Sequence, residues 1–188
     1  MIREALGDGS QFGVSIAYSD EGDAAMETGG GIFKALPLLG SAPFLIVNGD
    51  VWTDYPFEKL LKRFGGGNLG TAGNGNDVAH LVLVPNPPQH AKGDFGLSAG
   101  RVNEGQEERG TYSGVAVYAP QFFAGCEPGA FKLLPLLQRA IREGRLSGER
   151  YEGKWFDIGT PHRLTELDAM LRKRSADFRH PRESGDPS

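Results

Sequence analysis

Two aspartates, Asp50 and Asp157, stand at places where an α/β protein does chemistry. Asp50 closes the run Phe44-Leu45-Ile46-Val47-Asn48-Gly49-Asp50, and Asp157 follows Trp155-Phe156 and precedes Ile158-Gly159-Thr160. Ligands of open α/β sheets bind beyond the carboxyl ends of the strands. Two carboxylates there suit a hard divalent cation over a phosphate group. Each aspartate also fits as a turn or capping residue, which its neighbours Asn, Gly and Thr favour. A third feature is Glu27-Thr28-Gly29-Gly30-Gly31 ahead of Ile32-Phe33-Lys34-Ala35-Leu36. Glycines at a helix start expose backbone N–H groups to a phosphate or a base edge, and a flexible loop is the plain alternative.

The elements that must hold these residues follow from pattern. Phe44–Val47 is a continuous apolar run, which predicts a strand buried on both faces in the middle of a parallel sheet. His80-Leu81-Val82-Leu83-Val84 predicts a second such strand, with His80 at its end. Val14–Tyr18 alternates and reads as a strand. Thr111–Tyr118 reads as a strand whose internal Gly114 marks a close approach, as of a ligand. Residues 93–102 predict a hairpin, and Arg150–Phe156 one or two short strands running into Asp157.

Helices are expected over Pro56–Phe64 and over Phe131–Glu143, the latter with Leu133, Leu134, Leu137 and Ile141 on one stripe. The clearest helix opens with Thr160 as N-cap and Pro161 at its first position, with Leu164, Leu167, Met170 and Leu171 on one face. Residues 2–6 read as one helical turn ending at Gly7, Trp52–Tyr55 as a loop and Gly65–Asp77 as an exposed Gly- and Asn-rich loop. From Ser175 the chain is polar and reads as a disordered tail, leaving one domain over 1–174.

Bulk properties narrow the class. The 188 residues carry a net charge of −4, with 28 glycines and 39% hydrophobic residues. Without a basic stripe, nucleic acid is not an expected partner. The single cysteine, Cys126, excludes an internal disulfide and reads as a buried thiol. No apolar run approaches the ~20 residues of a membrane span, and the start lacks a signal-peptide core. These features predict a soluble cytoplasmic protein.

Together, Glu-Thr-Gly-Gly-Gly-Ile-Phe-Lys-Ala (27–35), Val-Asn-Gly-Asp-Val-Trp-Thr-Asp (47–54), Gly-Asp-Phe (93–95), Tyr-Ser-Gly-Val (112–115), Ala-Phe-Lys-Leu (130–133) and Trp-Phe-Asp-Ile-Gly-Thr-Pro (155–161) resemble the sugar-1-phosphate nucleotidyltransferases. Within that family the pattern is most like the branch that uses UTP and N-acetylmuramate 1-phosphate. The resemblance implies a Rossmann-like mixed α/β sheet of the glycosyltransferase-A-like type. It implies nucleotidyl transfer from UTP to a sugar 1-phosphate with release of pyrophosphate. It makes Asp50 and Asp157 the Mg²⁺ ligands, and Thr28, Gly29 and Gly30, with Asn48 and Gly49, the nucleotide site. Gly93, Asp94, Ser113 and Gly114 become the sugar site; Phe131 and Lys132 fall in a further family motif.

The family opens with a strand, a glycine-rich loop containing an Arg, and a following Lys. Here Met1 aligns with its second helix. The expectation is therefore a chain lacking that phosphate-binding segment, with no turnover by residues 1–188 alone. Two alternatives remain open: a non-catalytic module that binds nucleotide or sugar phosphate, and a thymidylyl- or guanylyltransferase for a hexose 1-phosphate.

Overall fold

The structure, a computed structural model, describes residues 2–64 and 76–179. Among them the main sheet has six strands: β1 (Phe44–Val47), β3 (Ala79–Val84), β4 (Gly96–Ser98), β5 (Arg101–Asn103), β6 (Thr111–Tyr118) and β7 (Leu146–Arg150). Their spatial order is β1-β6-β3-β7-β5-β4, with β3 and β7 parallel and the other pairs antiparallel. A two-stranded ribbon pairs β2 (Val51–Thr53) with β8 (Trp155–Asp157). The helices are α1 (Ile2–Leu6), α2 (Glu27–Leu39), α3 (Phe57–Phe64), α4 (Leu134–Arg142) and α5 (Pro161–Arg179).

The sheet is covered on both faces, which explains its continuous apolar strands. Side chains alternate along each strand. Phe44, Leu81, Leu83, Ala116 and Tyr118 join one cluster with Ile32 of α2 and Leu137 of α4. Val82, Val115 and Val117 join a second cluster with Leu60 of α3 and Tyr55. All six residues of β3 are buried, so β3 holds the central place expected of Phe44–Val47.

β1 instead lies at a sheet edge, antiparallel to β6, and its last residue, Val47, is 43% exposed. An apolar run reports burial on two faces; it does not report which neighbours complete the hydrogen-bond ladder. For the same reason Val14–Tyr18 is no strand: its residues join no ladder, and Val14 is exposed. Trp52 and Thr53, expected in a loop, form β2, because β8 supplies a partner more than a hundred residues away. Strand β7 was hidden in the sequence, since Ser147, Gly148 and Glu149 interrupt any apolar run.

The glycines expected ahead of a helix lie inside it, since α2 begins at Glu27. Helix α4 starts at Leu134, after Phe131–Leu133, and Leu134 faces solvent while Ala140 takes the inner position. Cys126 is half-buried at the core margin. Helix α5 runs to Arg179, past Ser175. The remainder of the tail, 180–188, and most of the Gly-rich loop, 65–75, lie outside the described residues. His80 is fully buried near the start of β3, where Nδ1 pairs with Ser147 Oγ at 3.0 Å and Nε2 lies 3.6 Å from Glu149 Oε2.

Candidate active site

A tight turn, Asn48-Gly49-Asp50, carries the chain from β1 into β2. The Asn48 N–H donates to Gly114 O (2.9 Å) and the Val51 N–H to Asn48 O (3.3 Å). The β2–β8 ribbon then continues as the Ile158 N–H donates to Asp50 O at 2.8 Å. That register places Asp50 beside Asp157. Gly159 separates the two carboxylates: a Cβ there would stand 3.2 Å from Asp157 Oδ1 and 3.2 Å from Asp50 Oδ2. The Gly159 N–H holds Asp157 Oδ1 (2.9 Å), and Arg163, in the first turn of α5, pairs with Asp157 Oδ2.

The paired aspartates border a cleft of about 260 Å³ lined also by Asn48, Asp94, Ser113 and Gly114. A larger cleft of about 690 Å³ adjoins it and shares Asn48, Asp94 and Tyr112. Its other walls include Thr28, Gly93, Arg109 and Lys132. Segments from six separate parts of the chain thus meet at the end of the β1–β6 pair.

Several details depart from expectation. Gly114 has φ of 76°, and a Cβ on it would meet Asn48 at 2.8 Å. The close approach marked by this glycine is thus made by a side chain of the protein itself. Ser113 is buried, and its hydroxyl donates to Val82 O (2.7 Å), so it offers the cleft backbone only. Trp155 Nε1–H donates to the Ser113 carbonyl at 2.8 Å and ties β8 to the main sheet.

Gly29 and Gly30 line neither cleft. Both are buried where α2 packs against 129–131: a Cβ on Gly29 would strike the Phe131 ring at 2.6 Å, and one on Gly30 the Gly129 carbonyl. The Gly30 N–H already donates to Phe131 O at 3.1 Å. Close packing accounts for both glycines. Gly49 has open space around it.

Asp94 is held firmly. Its Oδ2 accepts the Tyr112 N–H (2.8 Å) and its Oδ1 pairs with His90 Nε2 (2.9 Å). Arg109 fastens the same loop by donating to the carbonyls of Lys92 (3.1 Å), Gly93 (3.3 Å), Asp94 (2.5 Å) and Gly105 (3.1 Å). Arg109, His90 and Arg163 were not among the candidate residues of the sequence; no local pattern distinguishes them. The Tyr112 hydroxyl lies in the core at 3.3 Å from that of Tyr118, and burial pushes it up to about 12, the Tyr118 bond opposing that shift.

Among the described residues no group of three or more His, Cys, Asp or Glu converges to hold a metal. A cation at Asp50 and Asp157 therefore needs oxygens from phosphate and water, which is the ligand set Mg²⁺ accepts. Asp157 Oδ1 and Asp50 Oδ2, each 3.2 Å from the point a Cβ of residue 159 would take, are a donor pair that fits such an ion.

No family profile matches the chain. It is 45% identical over 173 residues to N-acetylmuramate alpha-1-phosphate uridylyltransferase of Neisseria meningitidis serogroup B, covering 90% of this chain and 72% of that protein. It is 30% identical over 178 residues to the enzyme of the same name from Caulobacter vibrioides, covering 90% of this chain and 69% of that one. A solved structure described as a glucose-1-phosphate thymidylyltransferase from Bacillus anthracis superposes with a TM-score of 0.70 at 17% identity, covering 91% of this chain and 71% of its own. The last likeness is one of fold. The chain belongs to the sugar-1-phosphate nucleotidyltransferases, in the family of the N-acetylmuramate alpha-1-phosphate uridylyltransferases.

Proposed function

We propose that this protein transfers a uridylyl group from UTP to N-acetylmuramate 1-phosphate, forming a UDP-sugar and pyrophosphate in cell-wall sugar recycling. The observation that carries the reading is the convergence of Asp50 and Asp157 on Gly159 beside clefts lined by Thr28, Gly93 and Asp94. The relatives at 45% and 30% identity support the choice of nucleotide and sugar.

Asp50 and Asp157 would hold Mg²⁺. When bound, the ion neutralises phosphate oxygens and lowers the repulsion between two anions. No general base is required of the protein, since the attacking group is a phosphate that is already ionised. The work of the side chains is positioning. Arg163 and the Gly159 N–H fix the Asp157 carboxylate, so it need not reorganise as charge develops. Asp94, fixed by His90 and the Tyr112 N–H, presents a rigid acceptor between the clefts for sugar hydroxyl or amide donors. Thr28, at the start of α2, lines the larger cleft and is one of the residues assigned to the nucleotide.

A second reading, a module that binds without reacting, is favoured by the scarcity of uncommitted positive charge. Arg109 is engaged by four carbonyls and Arg163 by Asp157. One experiment separates the readings: pyrophosphate release from UTP and N-acetylmuramate 1-phosphate with Mg²⁺, beside dTTP, GTP and hexose 1-phosphates. Release with the UTP and muramate pair, lost in Asp157→Asn, establishes the transferase. A faster rate with a hexose 1-phosphate overturns the substrate assignment. No release, with a melting midpoint raised by sugar phosphate, establishes the binding module.

A further inference from the structure

We propose that Lys132 reads the carboxylate of an acidic sugar, and so separates a lactyl-bearing hexosamine 1-phosphate from its neutral counterpart. The inference rests on the sugar assignment above. The larger cleft is lined by three acidic side chains, Glu27, Asp94 and Glu104, and two basic ones, Arg109 and Lys132. A ligand with both a phosphate and a carboxylate meets unfavourable charge there unless a cation answers it.

Arg109 does not answer it, because its guanidinium faces the four backbone carbonyls of its own loop. Two of the acids are already engaged: Asp94 with His90 and the Tyr112 N–H, and Glu104 Oε1 with Gln138 Nε2 at 2.8 Å. Neither base of this cleft has an ion-pair partner among the described residues, but Arg109 is held by carbonyls, which leaves Lys132 as the cation free to meet a ligand.

Its backbone is not free to wander. The preceding residue is clamped to the start of α2, with the Phe131 N–H donating to Met26 O (3.2 Å) and Phe131 O accepting from Gly30 (3.1 Å). The Phe131 ring packs edge-on to Phe33 at 6.0 Å. A glycine at 29 is what lets that ring approach α2. The clamp sets Lys132, with its long flexible ammonium, in the wall of the larger cleft. Lysine presents a compact point charge, which suits a carboxylate on a rotatable lactyl arm.

The test is calorimetric titration of the 188-residue protein with N-acetylmuramate 1-phosphate and with N-acetylglucosamine 1-phosphate. The second ligand keeps the phosphate and lacks the carboxylate. Lys132→Met is expected to weaken the muramate sugar roughly tenfold, the scale of one charge-assisted hydrogen bond, while leaving the glucosamine sugar nearly unchanged. Lys132→Arg is expected to restore most of the difference. Equal weakening of both ligands assigns Lys132 to the phosphate and overturns the proposal, as does no weakening of either. Unaltered protein that binds the glucosamine sugar more tightly, or binds neither, overturns the sugar assignment itself and this inference with it.

Discussion

At the scale of single residues, Gly159 is as informative as the aspartates it separates. A methyl group there would sit 3.2 Å from an oxygen of each carboxylate, so one or both must shift by a few tenths of an ångström. Gly159→Ala is therefore expected to weaken Mg²⁺-dependent ligand binding about tenfold, a usual scale for small misplacement of a reacting group. Its melting midpoint should hardly move, since Asp50 is exposed. Titration calorimetry with and without Mg²⁺ checks this.

Gly114 carries the opposite expectation. Its φ of 76° is unfavourable for any residue with a side chain, and Asn48 fills the space a Cβ would need. Gly114→Ala should lower folding stability by about 1–3 kcal/mol, measured by urea unfolding. Tyr112 links a residue to the pH response of the fold. Its hydroxyl ionises near 12 in the folded chain and near 10 when unfolded. The unfolded chain thus loses its proton first as pH rises. Stability is expected to hold below about pH 10 and to fall between 10 and 12, a fall that Tyr112→Phe reduces. Unfolding midpoints across that range decide it.

At the scale of elements, α5 shows how far periodicity reaches. Leu164, Leu167, Met170 and Leu171 share a helical face in the sequence, but the structure buries them unequally. Leu167 is 5% exposed and Leu164 51%. Leu167→Ala is expected to cost about 2–4 kcal/mol and Leu164→Ala less than about 0.5 kcal/mol, compared by denaturant midpoints. The N-terminus of the same helix carries Arg163, so packing at Leu167 also supports the ion pair that steadies Asp157. The ribbon of β2 and β8 is the other element on which the site depends. It is only three residues long on each side, yet its register, continued by the Ile158 N–H to Asp50 O bond, sets Asp50 beside Asp157.

At the scale of the molecule, the core and the chemistry are held apart. The apolar clusters occupy the two faces of the sheet, and the clefts open at one end of the β1–β6 pair. A cation bound by two rim carboxylates is not part of the core. Removing divalent metal with EDTA is therefore expected to weaken UTP binding about tenfold while shifting the melting midpoint by no more than about 2 °C, read by calorimetric titration and scanning.

Much of this protein was legible before any coordinates. Leu81–Val84 and Thr111–Tyr118 advertise buried strands, and Thr160-Pro161 advertises a helix start, because side-chain period and capping chemistry are local properties. The order of Thr28, Asp50, Asp94, Gly114 and Asp157 along the chain was enough to suggest a nucleotidyltransferase. Tertiary structure alone decided which strand is central, since burial on two faces does not reveal a strand's ladder partners. It alone revealed β7, whose Ser147, Gly148 and Glu149 belong to the sheet only because β3 lies alongside. It turned Gly30 from an open amide into a packing contact, and made Arg109 the fastening of the Asp94 loop. These are relations between residues distant in sequence, and they arise only when the chain closes on itself.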